Sequence, residues 1–199
     1  GLYAVAAPLG ATPGAARFAF GALSAALDGR AGELGTEDLR AVILDAQDQW
    51  ESRAGADASL RGFGCRLAVV VLRSDHLIVA HMGDCGALLI RHADVIEATR
   101  DHTARSEPTR HHPRGRRLIL RAFGMQSNPE IRRWSLEAGD RVVLVAEVRA
   151  CIPDHEIAGV TSSSIRADDV VSVLVARALE RGATGEVSAI AVFREGAVG

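Results

Sequence analysis

Three runs of branched apolar residues in the middle of the chain constrain the fold most strongly. The runs are CRLAVVVLR (65–73), HLIVAHMG (76–83) and ALLIRHADVIEAT (87–99), and only the short breaks SD and GDCG separate them. Val and Ile are enriched in strands, and parallel strands need a crossover of a dozen or more residues. Breaks this short therefore predict an antiparallel meander, with Asp84 in a tight hairpin turn between the second and third runs.

Apolar residues at helical spacing predict three helices around these strands. The first covers residues 14–28, the second runs from an N-cap at Thr36 to Ser52, and the third covers about 166–181. Further strands are predicted at LYAV (2–5), LILRAFG (118–124), DRVVLVAEV (140–148) and EVSAIAVFR (186–194). Early helices, central strands, then a helix and a strand are the order of an α+β protein, in which helices face antiparallel sheets.

Composition limits the classes of function that the chain can have. The chain has 199 residues, 48% of them hydrophobic and 24% charged, which predicts one globular domain, and it begins at Gly1 rather than Met, which predicts an N-terminally truncated piece. A net charge of −2 gives no case for nucleic acid or an acidic membrane. Three widely spaced cysteines without a CxxC pair predict reduced thiols and a cytoplasmic location. Abundant Ala, Arg and Gly indicate a GC-rich bacterial source.

Six short strings, in order along the chain, carry a more specific signal. They are VAAPLGATPG, HMGDCGALLI, EATRDHTARSE, LILRAFG, SLEAGDRVVLV and ALERGATGEVSAIAV. In this order they resemble the VADGMGGHxxG, GDS, T-x-DH, LTRALG, SDG and DNxT segments of the type 2C, metal-dependent (PPM) serine/threonine protein phosphatases. The likeness spans residues 2–194, nearly the whole chain.

The resemblance implies both a fold and a chemistry. The fold is a sandwich of two antiparallel β-sheets flanked by helices (α-β-β-α). In the chemistry, two Mg²⁺ or Mn²⁺ ions bridged by aspartates at one end of the sandwich activate a water that attacks phosphoserine or phosphothreonine. Such hard divalent ions require oxygen ligands, so several carboxylates are needed.

Carried over residue by residue, this metal site is degenerate. The family's bridging Asp falls on Ala7 and its adjacent metal-binding Gly on Pro8, the Asp of SDG falls on Glu147, and DN falls on Gly185 and Glu186. Asp101 of the DH segment is kept, but in the family it lies near a third, weaker ion. The resemblance therefore implies a pseudophosphatase without catalytic residues and without a bound metal. As a regulatory module in phospho-signalling it would bind a protein partner such as a kinase or a phosphoprotein.

Other interpretations remain open. A weak Mg²⁺- or Mn²⁺-dependent phosphatase could use Glu147, Glu186 and Asp101, and the chain could also be a structural module of a larger protein. Cys85 is predicted to be an apolar filler rather than a nucleophile, since no base stands beside it in the sequence. His102, His111 and His112 could form a metal cluster with Asp101, although their spacing matches no zinc pattern.

The segment RHHPRGRR (110–117) is either a solvated loop or a phosphate or partner contact. Clustered guanidinium groups suit phosphate oxygens. The arginines in question are Arg110, Arg114, Arg116 and Arg117.

Overall fold

The structure, a computed structural model, describes residues 1–9, 14–27, 34–62, 64–104 and 118–194. Two four-stranded antiparallel sheets pack face to face, with strand orders β1-β2-β3-β6 and β5-β4-β7-β8. Helices cover the outer face of each sheet. The predicted α+β class with two antiparallel sheets flanked by helices is thus confirmed.

The elements have the following bounds. The strands are β1 (Leu2–Leu9), β2 (Gly64–Leu72), β3 (His76–Met82), β4 (Gly86–Arg91), β5 (Asp94–Ala98), β6 (Glu130–Ser135), β7 (Arg141–Ala146) and β8 (Ser188–Phe193). The helices are α1 (Gly14–Leu27), α2 (Thr36–Ala56), α3 (Val148–Cys151), α4 (Asp154–Ser163) and α5 (Ala167–Glu180). A 3-10 turn covers Ala58–Leu60.

The alternation of side chains along β2 explains the layers. Leu67, Val69 and Val71 pack against α1 and α2 on the outside of the first sheet. Ala68 and Val70, which point the other way, join the core between the two sheets. A third apolar layer lies between the second sheet and α3–α5. Because both faces of β2 are covered, the strand is apolar almost throughout, which is why its sequence shows no polar alternation.

The predicted meander is only partly correct. β2 and β3 pair antiparallel, but β3 and β4 lie in different sheets, so the GDC segment crosses between the sheets and is not a hairpin turn. The run 87–99 forms two strands, β4 and β5, joined at His92 and Ala93, which both have positive φ. The predicted strand at 118–124 is wrong, because Ile119 and Phe123 form only isolated bridges there.

The helix predictions differ in their ends. The first helix begins at Gly14 as predicted, and the last covers Ala167–Glu180. The predicted N-cap at Thr36 is off by one residue, since Gly35 occupies that position and its N–H donates to the Asp38 carboxylate at 2.8 Å. Strand β6 and helices α3 and α4 were not predicted.

Among the residues that the structure describes, no helix combines the length and the apolar character needed to cross a bilayer.

Candidate degenerate metal centre

The positions that correspond by motif resemblance to the family's metal ligands lie at the end of the sandwich where β1 ends. Ala7 lies on β1 directly opposite Arg66 of β2 and is fully buried against Cys85 and Ala146 in the core between the sheets. Pro8 follows it, half-buried, opposite Cys65. The chain therefore places a methyl group, not a carboxylate, at the centre of this end.

Arg66 dominates the electrostatics there. Its Nη1 donates to Oδ1 of Asp84 at 3.1 Å and also to Oε1 of Glu147. The side chain of Arg66 is 9% exposed and that of Asp84 only 1%. Although burial opposes the charged form, the carboxylates of Asp84 and Glu147 hold the pKa of Arg66 above its usual value. One guanidinium thus neutralises carboxylates that come from two distant parts of the sequence.

Two backbone features bring these groups together. Gly83 has φ of +86°, and a Cβ there would lie 2.8 Å from Cγ of Arg66, so only glycine lets the arginine pass. Glu147 follows β7 with φ of 63°, a left-handed conformation that costs a non-glycine residue about 1 kcal/mol. Its ion pair with Arg66 offsets that strain.

Gly185 lies directly beside Glu147. A Cβ at position 185 would stand 2.8 Å from both Cγ and Cδ of Glu147, so the glutamate fills the space that a side chain at 185 would need. Glu186, the next residue, is exposed. The structure therefore brings Ala7, Glu147 and Gly185 to one end of the sandwich around Arg66.

Arg149 holds a second set of carboxylates next to the first. Its Nη1 donates to Asp101 at 2.7 Å and to the carbonyl of Thr99 at 2.9 Å. Its Nε and Nη2 form a bidentate pair with Asp154, both at 2.8 Å. Asp84 also contributes to raising the pKa of Arg149. Asp101, the carboxylate kept from the DH segment, is thus bound by a cation from this chain.

These residues do not fit a pair of divalent cations. Two Mg²⁺ or Mn²⁺ ions need a shared set of oxygen ligands, yet position 7 supplies a methyl group and position 185 no side chain. Arg66 binds Asp84 and Glu147, and a divalent ion 4 Å from a guanidinium is repelled by about 8 kcal/mol at an effective dielectric constant of 20. The guanidinium occupies the electrostatic role that a metal ion would have.

The cysteines offer no nucleophile here. Cys85 is 1% exposed, and burial raises the pKa of its thiol. Burial likewise raises the pKa of Cys65 to about 12. Both thiols therefore stay protonated at neutral pH, as expected for apolar packing groups.

The other candidate residues separate into two groups. His102 stacks on His81, with ring centroids 4.4 Å apart, and Nε2 of His102 lies 3.1 Å from Glu130, whereas Asp101 is bound by Arg149. His111 and His112 lie outside the described residues, as do Arg110, Arg114, Arg116 and Arg117.

Sequence reasoning missed both arginines and the His81–Glu130 partnership. Arg66 did give a signal, because it is a charged residue inside a strand that is otherwise apolar on both faces. It shares the parity of Ala68 and Val70, which face the opposite sheet. Arg149 gave no comparable signal in the sequence, since it lies on a four-residue helix that the sequence does not predict.

Comparisons with known proteins show what this chain is similar to in sequence and in fold. The Protein phosphatase 2C family profile matches residues 21–111. Protein phosphatase PhpP of Streptococcus pneumoniae is 26% identical over an alignment of 161 residues, with 74% of this chain and 65% of that protein covered. The chain thus spans slightly less than two thirds of the length of the curated relatives it matches.

Solved structures agree with the fold. The Mycobacterium tuberculosis serine/threonine phosphatase PstP/Ppp superimposes with a TM-score of 0.86 at 22% identity, over 98% of this chain and 88% of that one. Staphylococcus aureus Stp1 gives a TM-score of 0.87 at 20% identity, over 98% and 84%. The chain is therefore similar to the protein phosphatase 2C family in sequence over residues 21–111, and it shares the fold of these solved serine/threonine phosphatases.

Proposed function

We propose that this chain is a pseudophosphatase, a phosphatase 2C domain without phosphatase activity that acts as a binding and regulatory module in phospho-signalling. The observation that carries the proposal is Arg66, whose guanidinium binds the carboxylates of Asp84 and Glu147 beside a buried Ala7. An internal cation replaces exchangeable ones, so the fold is kept while the metal-dependent chemistry is lost.

The contrast with a relative of similar fold supports this proposal. The catalytic domain of serine/threonine protein phosphatase PstP, with a TM-score of 0.82, has been crystallised in complex with two manganese ions. At the positions that correspond by motif resemblance to the family's metal ligands, this chain has the methyl group of Ala7, the Arg66-bound carboxylate of Glu147 and the glycine at 185. Losing even an outer partner of a metal site typically costs 10- to 100-fold in affinity or activity, and here ligands themselves are replaced.

The partner that fits the proposal is a kinase, a phosphoprotein or another signalling protein, bound without turnover. Guanidinium groups recognise phosphate oxygens well, and the chain carries Arg110, Arg114, Arg116 and Arg117 in one short segment. The low net charge and this local cluster favour a specific protein contact over nucleic acid or a membrane surface. A cytoplasmic location is part of the same proposal.

The rival is a weak metal-dependent phosphatase, favoured by the activity named for PhpP and by the retained Asp84 and Asp101. An activity assay with Mn²⁺ separates the two on p-nitrophenyl phosphate and a phosphothreonine peptide. The proposal expects no turnover above that of a Glu147→Ala variant. Turnover that requires Mn²⁺ and disappears in Glu147→Ala would establish the weak enzyme instead.

A pull-down from a lysate treated to retain phosphorylation tests the binding role. The test variant reverses charge at Arg114, Arg116 and Arg117, and the matched control reverses three exposed arginines elsewhere, Arg17, Arg61 and Arg133. The proposal expects capture of a phosphoprotein by wild type and control but not by the test variant. Equal capture by all three would remove the arginine segment from the proposal.

A further inference from the structure

A second group of side chains of metal-ligating types lies near the degenerate centre and shares no residue with it. The histidine cluster comprises His81 on β3, His102 in the segment after β5, and Glu130 at the start of β6. One ligand atom from each residue lies within 4.8 Å of the others. The two histidines are buried and Glu130 is partly exposed, so the cluster opens to solvent on the side of the carboxylate.

The fold fixes all three members. Register in the first sheet pairs His81 with Glu130 across β3 and β6. The backbone N–H of His102 donates to the carbonyl of Gly83 at 2.8 Å, which holds the 99–104 segment against the end of β3. The imidazole rings stack 23° from parallel. The cluster therefore joins three chain segments that are far apart in the sequence.

His81 has an unused ligand atom. Its Nε2 lies 2.9 Å from the carbonyl of Arg100, and since a carbonyl only accepts, Nε2 carries the ring proton. Nδ1 then holds a lone pair that is buried and has no hydrogen-bond partner among the described residues. Burial disfavours the charged form of His81 and lowers its pKa. A neutral imidazole whose other nitrogen is anchored on a carbonyl is the usual state of a metal-ligating histidine.

Glu130 supplies the negative charge. Burial opposes ionisation, but hydrogen bonds from His102 and Arg132 outweigh it and hold the pKa of Glu130 below its usual value. Its Oε2 faces Nε2 of His102 at 3.1 Å, while Oε1 accepts from Arg132, an exposed side chain, at 2.8 Å. Oε2 thus points into the cluster as a carboxylate ligand.

We propose that His81, His102 and Glu130 form a binding site for a divalent transition-metal ion of the Zn²⁺ class. Two imidazoles and one carboxylate favour such an ion over Mg²⁺ or Ca²⁺, which take oxygen ligands. Ligand atoms around one Zn²⁺ lie about 3.3 Å apart, so small side-chain adjustments close the triangle and solvent completes the coordination. The site is independent of the proposed loss of phosphatase activity.

Metal binding by His102 would break one hydrogen bond inside the protein. Nδ1 of His102 now accepts a hydrogen bond from the N–H of Gly83 at 3.3 Å, so Nε2 carries the ring proton toward Glu130. When Nε2 binds the ion, that proton moves to Nδ1 and the Gly83 bond is lost. The hydrogen bond from Gly83 that is lost is long and therefore weak, so its loss reduces the free energy of metal binding only slightly.

The experiment is a Co²⁺ titration of the EDTA-stripped protein, followed by absorption and then by displacement with Zn²⁺. The expected result is one Co²⁺ per chain with visible bands typical of nitrogen and oxygen ligands, displaced by one Zn²⁺. Glu130→Ala should weaken binding about 100-fold, since it removes a ligand rather than an outer partner. Zn²⁺ should also raise the Tm of wild type by about 5 °C or more but leave that of Glu130→Ala unchanged.

Matched controls keep the outcome decisive. His155→Gln and Glu97→Ala replace an exposed histidine and an exposed carboxylate outside the cluster and should bind Co²⁺ as wild type does. A His111→Gln/His112→Gln variant should also bind normally. No Co²⁺ or Zn²⁺ binding by wild type at 100 times the protein concentration would overturn the proposal. Binding that survives Glu130→Ala, or that disappears with His111 and His112, would also overturn it.

Discussion

The two ends of the β-sandwich each carry an arginine bound to two carboxylates, but the two clusters connect different parts of the chain. At the far end, Arg91 forms a bidentate pair with Asp140, at 2.7 and 2.9 Å, and also binds Glu137. At the degenerate centre, Arg66 binds Asp84 and Glu147 through a single nitrogen. We call these the far cluster and the central cluster.

The difference lies in what each cluster connects. Glu137 and Asp140 belong to one turn before β7, and Asp140 also accepts the N–H of Glu137 at 2.8 Å, so the far cluster stabilises a local turn. The central cluster instead joins β2, the crossing between the sheets and the end of β7. Under the proposed function, an arginine that connects carboxylates from distant parts of the chain acts as a substitute cation, whereas Arg91 is a structural clamp.

The largest effect is expected from Arg66→Met. Removing the guanidinium leaves Asp84 and Glu147 buried without it, and breaking such a buried pair costs about 3 kcal/mol or more. Urea denaturation at pH 7 in EDTA measures the loss in the free energy of unfolding. A loss below 1 kcal/mol would show that the carboxylates do not depend on Arg66.

The same variant distinguishes a substitute cation from a clamp. With Arg66 replaced, Asp84 and Glu147 offer oxygen atoms to an external cation, so millimolar Mn²⁺ should restore several degrees of the lost Tm. Arg91→Met should lose Tm but gain nothing from Mn²⁺, because the Asp140 carboxylate still accepts the N–H of Glu137 and the Glu137 side chain is 66% exposed. An equal Mn²⁺ response in both variants would erase the distinction between the clusters.

A pH titration should sharpen the account of the far cluster. Burial opposes ionisation of Asp140, but hydrogen bonds from Arg91 and the N–H of Glu137 hold its pKa below the ordinary 3.8. The depressed pKa adds stability that is complete above pH 3.8 and is lost as the pH falls through the folded-state pKa. Asp140→Asn should therefore be about 1 kcal/mol less stable at pH 7, and the gap from wild type should narrow in acid. A gap that stays constant to pH 2 would contradict this.

The smallest effect is expected at Gly185. Gly185→Ala places a methyl group 2.8 Å from Glu147, which must shift within its ion pair with Arg66, at a cost of about 1 kcal/mol. In a Glu147→Ala background the same substitution should cost nothing. A double-mutant cycle by urea denaturation measures this coupling. Additive effects would mean that Gly185 and Glu147 do not share the space.

The sequence predicted the layers of the fold better than its connections. Runs such as 65–73 are apolar on both faces, and burial on both faces is what a central strand of a sandwich requires. The crossing at Asp84 could not be predicted, because GDC has the residues of a hairpin turn and only the second sheet decides where β4 pairs. Strand β6 was missed because EIRRWS is mostly polar and lies at the edge of its sheet.

The candidate site was only partly accessible from sequence. The replacements at Ala7 and Gly185 follow from motif resemblance alone. The contact of Arg66 with Asp84 and Glu147 could not be predicted, because Arg66 is 18 residues from Asp84 and 81 residues from Glu147 in the sequence. The three side chains meet only through the packing of the two sheets. The same applies to His81 and Glu130, which strand register brings together.

Calorimetric titration of the wild-type chain with Mn²⁺, beside an Arg66→Met control, tests the substitute-cation account most directly. The account predicts that wild type shows no micromolar binding of Mn²⁺ at the central cluster and that Arg66→Met binds it measurably. Two Mn²⁺ ions bound to wild type with micromolar affinity, and lost in Glu147→Ala, would contradict it.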